Sequence, residues 1–274
     1  MTKVAFQGER GAFSEEAAVV ALGPGIEPIP CRSFPEVFSA VAEGRATYGV
    51  IPIENSLTGS IHTNYDLLLA HDLHIVGETE IPIRHCLLAL PGVRLAGIRR
   101  VLSHPQALAQ CERTLRALLP RAELVPVYDT AGSALILRRE GLRDAAAIAG
   151  RRAAEIYGME VLVEDLADSP ENYTRFLVLG REPVVPGGPA KTSVVFAAEN
   201  VPGALYRCLE PFATRGIDLT KIESRPVRER RWEYLFYVDF AGSAHEDRCR
   251  EALEELRGRT TFLRVLGSYP RMAR

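Results

Sequence analysis

The sequence predicts an α/β protein of two lobes, followed by a smaller domain with a different order of strands and helices. Three observations support this prediction. Short β-rich runs alternate with helical patterns from residue 3 to about residue 180, which is typical of α/β domains with largely parallel sheets. Residues 181–190 contain three prolines and two glycines, as expected of a linker. Beyond this linker the pattern changes.

The first part of the chain supplies the elements of the two lobes. Runs rich in apolar and β-branched residues predict strands at residues 3–6, 27–31, 48–51, 74–90 (broken at Pro82), 100–102, 123–128, 145–149, 161–164 and 175–179. Helical periodicity predicts helices at residues 14–22, 34–43, 60–70, 106–118, 131–139 and 151–157. The long run 74–90 takes the chain into a second lobe. We therefore expect one lobe from residues 1–76 and 160–180, another from residues 77–159, and a cleft between them.

The C-terminal part predicts a single compact domain. Strands are expected at residues 192–197, 219–224, 233–240 and 262–269, and helices at residues 203–215 and 246–257. This βαββαβ order is the ferredoxin-like arrangement. The expected division is thus residues 1–180 for the two lobes, 181–190 for the linker and 191–274 for the C-terminal domain.

Composition argues against several classes of protein. The net charge is −2 and both signs are mixed along the chain, which gives no basis for binding nucleic acid or a membrane surface. The basic run at residues 225–231 is interrupted by Pro226 and Glu229, and is interpreted as a solvated loop. No apolar stretch is long enough to span a bilayer.

Cysteine usage and the N-terminus bear on the compartment. The five cysteines are odd in number and lack C-x-x-C spacing, which is typical of idle thiols in a reducing compartment. No signal-peptide core fits the first residues. A cytoplasmic protein is therefore expected, and Asn172 of the sequence N-Y-T is not interpreted as a glycosylation site.

Polar residues gather where predicted strands meet predicted helices. These junctions carry Ser14, Asn55 with Ser56, Ser103 with Gln106, and Thr130. Helix capping explains any one of them, and Ser14 is predicted to be the N-cap of the first helix. Several helix N-termini around one cleft suit a small anion. No G-x-G-x-x-G or G-x-x-x-x-G-K-[ST] motif is present, so a carboxylic acid fits better than a nucleotide.

The stretch S-P-E-N-Y-T-R-F-L-V-L-G, residues 169–180, has the same character. Asn172, Thr174 and Arg175 stand directly ahead of an apolar run that starts at Phe176. We interpret this cluster as the rim of the cleft. Since side chains alternate along a strand, Arg175 is expected to face away from Thr174.

Three segments resemble the signature stretches of prephenate dehydratases. They are N-Y-T-R-F at residues 172–176, S-H-P-Q-A-L-A-Q-C at residues 103–111 and N-S-L-T-G at residues 55–59. G-A-L-Y at residues 203–206 and I-E-S-R-P at residues 222–226 resemble the phenylalanine-responsive ACT domain of that family. The likeness spans the chain in order and corresponds to the monofunctional form. Glu164 departs from it, because the family often has glutamine there.

The resemblance implies a two-lobed catalytic domain like that of periplasmic binding proteins, followed by an ACT domain. It implies conversion of prephenate to phenylpyruvate, CO₂ and water in L-phenylalanine biosynthesis. Formation of an aromatic ring drives this reaction, so no cofactor and no metal are expected. The implied catalytic residues are Thr174, as the hydroxyl donor, with Ser103, Asn55 and Ser56. The implied substrate-binding residues are Ser14, Gln106, Thr130, Asn172, Arg175 and Phe176.

The resemblance also implies feedback by phenylalanine and a homodimer or homotetramer. The implied effector-binding residues are Gly203, Ala204, Leu205, Glu223, Ser224, Arg225 and Pro226. Two alternatives remain open at this point. One is arogenate dehydratase, which performs the same elimination on the amino-acid analogue of prephenate. The other is a non-catalytic sensor of amino acids or carboxylates, which would need the cleft but not the hydroxyl of Thr174.

Overall fold

A computed structural model describes residues 1–227 and 233–272. Part of the basic run at residues 225–231 therefore lies outside the described residues. The chain divides into two compact units, one formed by Met1–Asn64 with Thr79–Phe176 and the other by Tyr65–Glu78 with Leu177–Arg274. The domain boundaries expected from the sequence stay a prediction.

The secondary structure alternates as expected over most of the chain. The strands are β1 (Thr2–Gln7), β2 (Ile26–Cys31), β3 (Tyr48–Asn55), β4 (Gly59–Ser60), β5 (His74–Pro82), β6 (Cys86–Ala89), β7 (Arg100–Ser103), β8 (Glu123–Pro126), β9 (Ala145–Ala149), β10 (Glu160–Val163), β11 (Tyr173–Gly180), β12 (Ala190–Ala197), β13 (Leu219–Pro226), β14 (Tyr234–Ala241) and β15 (Phe262–Pro270). The α-helices are α1 (Phe13–Leu22), α2 (Phe34–Ala42), α3 (His62–Ala70), α4 (Pro105–Gln110), α5 (Glu112–Leu118), α6 (Thr130–Glu140), α7 (Arg151–Tyr157), α8 (Ala204–Thr214) and α9 (Asp247–Arg257), with a short 3-10 helix at Leu95–Gly97.

Two sheets belong to the predicted α/β part. The first has strand order β2-β1-β3-β11-β5, with β4 paired to β3. Strands β1, β2 and β3 run parallel, and α1 and α2 pack on them. The second has strand order β10-β6-β9-β7-β8. Strand β9 is a run of buried small residues on which α6 packs closely. It pairs parallel with β7 and antiparallel with β6.

The C-terminal strands and helices follow the predicted βαββαβ order. Their sheet has strand order β13-β14-β12-β15, with neighbouring strands antiparallel. A separate core of buried residues lies between this sheet and α8 and α9, and includes Val194, Phe196, Phe212, Val238 and Phe240. The predicted fold class, α/β with a C-terminal ferredoxin-like arrangement, is confirmed.

The segment Tyr65–Glu78 packs with the C-terminal strands inside the second compact unit. The Arg225 guanidinium contacts both carboxylate oxygens of Asp66, at 3.1 to 3.3 Å. Lys191 Nζ lies 2.7 Å from the carboxylate of Glu78, in a pair whose side chains are 11% and 1% exposed. This segment is therefore joined to the C-terminal sheet by two ion pairs, of which the Lys191–Glu78 pair has little solvent access.

The helix predicted at residues 106–118 is two helices, α4 and α5, because Cys111 leaves helical geometry at φ −115° and ψ 6°. The carboxylate of Asp168 accepts the backbone N–H groups of Arg113 and Thr114 at 2.9 and 2.8 Å. It thereby caps the start of α5 from a distant part of the chain. Cys111 itself is fully buried, and burial raises the pKa of its thiol to about 12.

Across the part of the chain that the structure describes, no helix has the length and apolar character needed to cross a membrane. Each of the five cysteines is a buried free thiol.

Candidate active site

A cavity of about 310 Å³ lies within the first compact unit. Strand ends of the first sheet contribute to it, and so do the first turns of α1, α4 and α6. Its lining includes Phe13, Ser14, Asn55, His85, Gln106, Gln110, Asp129, Thr130, Thr174 and Phe176. The cavity thus gathers side chains that are far apart in the sequence, from elements of both α/β sheets.

Thr174, the residue expected to be the hydroxyl donor, lies in the wall of this cavity. It is the second residue of β11 and is 7% exposed. Its Oγ1 accepts a hydrogen bond from Asn55 Nδ2 at 2.9 Å. Among the described residues no acceptor is found for the Thr174 hydroxyl hydrogen, so that hydrogen is available to a molecule in the cavity.

The side-chain amide of Asn55 is fixed at both ends. Its Nδ2 also donates to Asn172 Oδ1 at 2.8 Å and to the carbonyl of Tyr173 at 3.0 Å. Its Oδ1 accepts the backbone N–H groups of Leu57 and Thr58, each at 3.1 Å. Strand β3 ends at this residue. The turn that follows it and the start of β11 therefore share one buried amide.

Two glutamines of α4 extend this network along one helix face. Gln106 Nε2 donates to Thr58 Oγ1 at 2.8 Å. Gln110 Oε1 lies 3.0 Å from His85 Nε2 and 3.1 Å from Asn172 Nδ2. One part of the polar lining, which includes Thr174, Asn55, Gln106, Gln110 and His85, is thus a connected set of hydrogen bonds.

Helix termini and one carboxylate set the electrostatics of the cavity. The N-termini of α1 and α6 point the positive ends of their helix dipoles at the cavity, which favours an anion, and at α6 the Asp129 carboxylate already uses part of this effect. Asp129 is the N-cap of α6, and its Oδ2 accepts the N–H groups of Gly132 and Glu9 at 2.8 and 3.1 Å. Burial raises the pKa of Asp129, although these backbone hydrogen bonds oppose the shift.

The capping role predicted for Ser14 is wrong. Helix α1 begins one residue earlier, with Ala12 as N-cap, so Ser14 lies inside the first turn. The N–H of Gly11 is instead accepted by Glu15 Oε2 at 2.6 Å. Gly11 has φ +85°, and a Cβ on it would lie 2.7 Å from the Ala153 backbone. Ser14 nevertheless lines the cavity.

Ser103 is not a helix cap either. Strand β7 continues through it, and Pro105 begins α4, so His104 is the N-cap and accepts the Gln106 N–H on Nδ1 at 3.2 Å. The fully buried Ser103 hydroxyl donates to the carbonyl of Ile148 at 2.7 Å. It therefore ties β7 to β9 and does not line the cavity.

The other predicted residues fall into two groups. Gln106, Thr130 and Phe176 line the cavity, and Asn172 lies behind Asn55 with 1% exposure. Three predicted or questioned residues do not line it. They are Ser56, whose exposed hydroxyl donates to the Glu171 carbonyl, Arg175, which follows Thr174 on the alternate side of β11, and Glu164, which forms an ion pair with Arg151.

The predicted effector residues lie at two places in the second compact unit. Gly203 is the N-cap of α8 with φ +77°, and Ala204 and Leu205 form the first turn of that helix. Ala204 also lines a pocket of about 240 Å³ with Arg207 and Arg259. Glu223, Ser224, Arg225 and Pro226 end β13 and do not line this pocket. The effector role of both groups stays a prediction.

Sequence reasoning did not single out Thr58, His85 or Gln110 as site residues. His85 stands just before the buried strand β6, which is the same position that drew attention to Thr174 before its apolar run. Its position at the start of a strand was hidden because the run 74–90 was predicted to break at Pro82, which left His85 inside the second part of the run. Throughout residues 1–227 and 233–272, no group of three or more His, Cys, Asp or Glu is arranged to hold a metal ion.

Comparison with known proteins decides the family. The model of the prephenate dehydratase domain matches residues 4–184, and the model of the ACT domain matches residues 192–258. The chain belongs to the prephenate dehydratase family. It is therefore a dehydratase of the lyase class, with a C-terminal ACT domain.

Of three similar proteins, two are named dehydratases and one is named an acylase. The arogenate dehydratase/prephenate dehydratase 2 of Arabidopsis thaliana is 52% identical over 98% of this chain and 72% of its own length. A prephenate dehydratase from Arthrobacter aurescens, solved in complex with L-Phe, is similar with a TM-score of 0.90 and 36% identity, over 98% of this chain and 90% of that chain. A quorum-quenching acylase, GqqA, is similar with a TM-score of 0.89 and 36% identity, over 98% of both chains.

The relatives contradict the prediction of a cytoplasmic protein. Arabidopsis relatives at 52% and 50% identity are named as chloroplastic proteins. The prediction depended on the cysteines and on the first residues. Those features suit any reducing compartment, so they could not separate a plastid from the cytoplasm.

Proposed function

We propose that this protein catalyses the decarboxylating dehydration of prephenate to phenylpyruvate. One observation carries the proposal: the Thr174 hydroxyl stands in the wall of the cavity, held through its oxygen by Asn55 at 2.9 Å. A hydroxyl that accepts a hydrogen bond in this way directs its own hydrogen elsewhere. The proposal places the substrate where that hydrogen can be donated.

The reaction needs this donor. The ring of prephenate carries a hydroxyl group opposite a carboxylate, and loss of water and CO₂ makes the ring aromatic. The departing hydroxyl takes negative charge as its C–O bond breaks, so a hydrogen bond from Thr174 stabilises the transition state more than the ground state. Because Asn55 is fixed by backbone groups and in turn holds the Thr174 oxygen, the Thr174 donor needs little reorganisation.

The same cavity suits a dianion. Prephenate has two carboxylates, and the first turns of α1 and α6 line the cavity with helix N-termini. The positive ends of the two helix dipoles favour a carboxylate without a metal. Gln106 and Thr130 add side-chain hydrogen-bonding groups to the same lining.

Arogenate is the second candidate substrate, and the names of the relatives favour it. Several of them, at 50 to 52% identity, are named arogenate dehydratase. Arogenate has an ammonium group where prephenate has a keto group, and both lose the same hydroxyl and carboxylate. The test is to incubate the purified protein separately with each compound. Phenylpyruvate from prephenate supports the main proposal, phenylalanine from arogenate alone supports the second, and no product from either refutes both.

We further propose that phenylalanine binds the ACT domain and lowers turnover. Support comes from the family match of residues 192–258 and from the similar bacterial protein that was solved with L-Phe. Gly203, the N-cap of α8 at φ +77°, offers a close backbone approach. Coupling of roughly 1–3 kcal/mol is typical of such control. Calorimetry with phenylalanine on wild type and on Gly203→Val tests this, and binding that is equal in both refutes the assignment of Gly203.

A homodimer or homotetramer is part of the same proposal. Strand β13 is at one end of the C-terminal sheet, and Ile222 on it is 48% exposed. Pairing of two such edges would cover both. Light scattering coupled to gel filtration measures the assembly, and a monomer at micromolar concentration refutes it.

A further inference from the structure

His85 is a buried histidine at the cavity, and neither the family motifs nor the proposed chemistry assigns it a role. Its side chain is 2% exposed and its ring meets the Phe13 ring edge-on, with centroids 5.5 Å apart. Nε2 lies 3.0 Å from Gln110 Oε1. In the described part of the chain Nδ1 is buried without a hydrogen-bond partner.

Which nitrogen of this ring carries the hydrogen follows from nearby groups that can act only as hydrogen-bond donors. The backbone N–H groups of Leu57 and Thr58 can only donate, and both point at one atom of the Asn55 amide, at 3.1 Å. That atom must be oxygen. The Asn55 nitrogen therefore faces Thr174 and Asn172.

The donor and acceptor roles of the other amides in the network follow one from another. An atom of the Asn172 amide lies 2.8 Å from the Asn55 nitrogen, so it must be the amide oxygen. The Asn172 nitrogen is then the atom 3.1 Å from the Gln110 amide, and the Gln110 atom facing it must be oxygen. This oxygen is the one that His85 Nε2 approaches.

Two acceptors at 3.0 Å repel each other, so His85 Nε2 carries the hydrogen and donates it to Gln110 Oε1. Nδ1 is left with a lone pair, which agrees with its having no acceptor nearby. A second proton on Nδ1 would be a buried donor without a partner, which is costly. Burial also lowers the pKa of His85, against the opposing effect of its hydrogen bond with Gln110.

We propose that His85, as the neutral tautomer with hydrogen on Nε2, is a positioning residue for the dehydration. Its single donor holds Gln110, which holds Asn172, which holds the Asn55 amide against Thr174. The role is indirect, because three side chains separate the imidazole from the reacting hydroxyl. The proposal rests on the proposed function for its kinetic consequence. The tautomer itself does not depend on that function.

The tautomer is tested by nitrogen NMR of protein labelled in its six histidine rings, with His85 assigned by its absence in His85→Gln. At neutral pH we expect a protonated Nε2 and an unprotonated Nδ1. A hydrogen on Nδ1 alone, or on both nitrogens, overturns the proposal. This measurement needs no turnover, so it holds even if the protein converts neither prephenate nor arogenate.

Kinetics test the positioning role with a matched pair of variants. His85→Phe keeps an aromatic ring but removes the donor, whereas the amide nitrogen of His85→Gln can reach the place of Nε2. We expect kcat to fall roughly 10-fold in His85→Phe, the size of one lost hydrogen bond, with KM little changed, and most of kcat to return in His85→Gln. Equal losses in both variants, or none in either, overturn the proposal. Thermal melts identify an unfolded variant, in which case the NMR reading decides.

Discussion

Replacing Thr174 by valine isolates the hydroxyl group on which the proposed chemistry depends. Valine has nearly the shape of threonine and an equal preference for strands, so β11 is retained. The change removes one acceptor and one donor. The acceptor matters little, because the two amide hydrogens of Asn55 currently face three acceptors at 2.8 to 3.0 Å. Two of these, Asn172 Oδ1 and the Tyr173 carbonyl, remain in the variant.

The substitution should therefore have a small effect on stability and a large effect on turnover. We expect the free energy of unfolding to fall by about 1 kcal/mol or less, since no buried amide hydrogen loses its only partner. Turnover should fall by roughly 10²-fold or more, the effect of removing one preorganised donor from a transition state. KM should change far less, because the helix termini that suit the carboxylates are untouched.

The assay is formation of phenylpyruvate from prephenate, beside denaturant unfolding of the same preparations. Thr174→Ser is the matched control, because it keeps the hydroxyl and loses only a methyl group. It should retain much more activity than Thr174→Val. Turnover near the wild-type value in a folded Thr174→Val protein would refute the donor role.

Three further substitutions test other parts of the structure. Ser103→Ala leaves the buried carbonyl of Ile148 without its 2.7 Å donor. The free energy of unfolding, measured with denaturant, should fall by about 1–3 kcal/mol while KM stays unchanged. A raised KM in an equally stable variant would contradict this prediction. Asp129→Asn removes a carboxylate whose pKa burial raises above 3.8. The folded wild type binds that proton more tightly than the unfolded chain does. The stability of the wild type relative to the variant should therefore decline as pH rises from about 3.8 through the raised pKa. A stability difference that does not change with pH would contradict this prediction. Glu78→Gln leaves Lys191 with 11% exposure and no carboxylate in its pair, which should cost about 3 to 5 kcal/mol in thermal or denaturant unfolding; an unchanged midpoint would show that the pair contributes nothing.

Elements with a complete local signal were predictable from the sequence. The strand predicted at residues 145–149 is β9, and the βαββαβ order of the C-terminal part appears as expected. The break between α4 and α5 was not predictable, because the cap of α5 is Asp168, which lies 55 residues from Arg113. The start of α1 was missed for a local reason. Glu15 and not Ser14 accepts the free N–H group there, and both residue types are plausible at a helix start.

In the candidate site too, contacts between residues distant in the sequence could not be predicted. Thr174 was visible because polar residues stand before an apolar run, and that pattern is local. Its partner Asn55 is 119 residues away, so their contact could be suggested only by family resemblance. For Ser103 the sequence offered helix capping and the resemblance implied catalysis, since sequence does not reveal that its hydroxyl reaches Ile148 on a neighbouring strand.

The packing of Tyr65–Glu78 has a consequence for building chimeras. The match to the dehydratase model ends at residue 184, which invites exchange of ACT domains between relatives at the linker. Such a junction separates Lys191 from its buried partner Glu78, and Arg225 from Asp66, because these pairs join parts of the chain on either side of it. A recombinant that retains its stability has to carry residues 65–78 from the same parent as its ACT domain. Those fourteen positions by number therefore belong with the ACT domain in one compact unit, although they lie within the stretch that matches the dehydratase model.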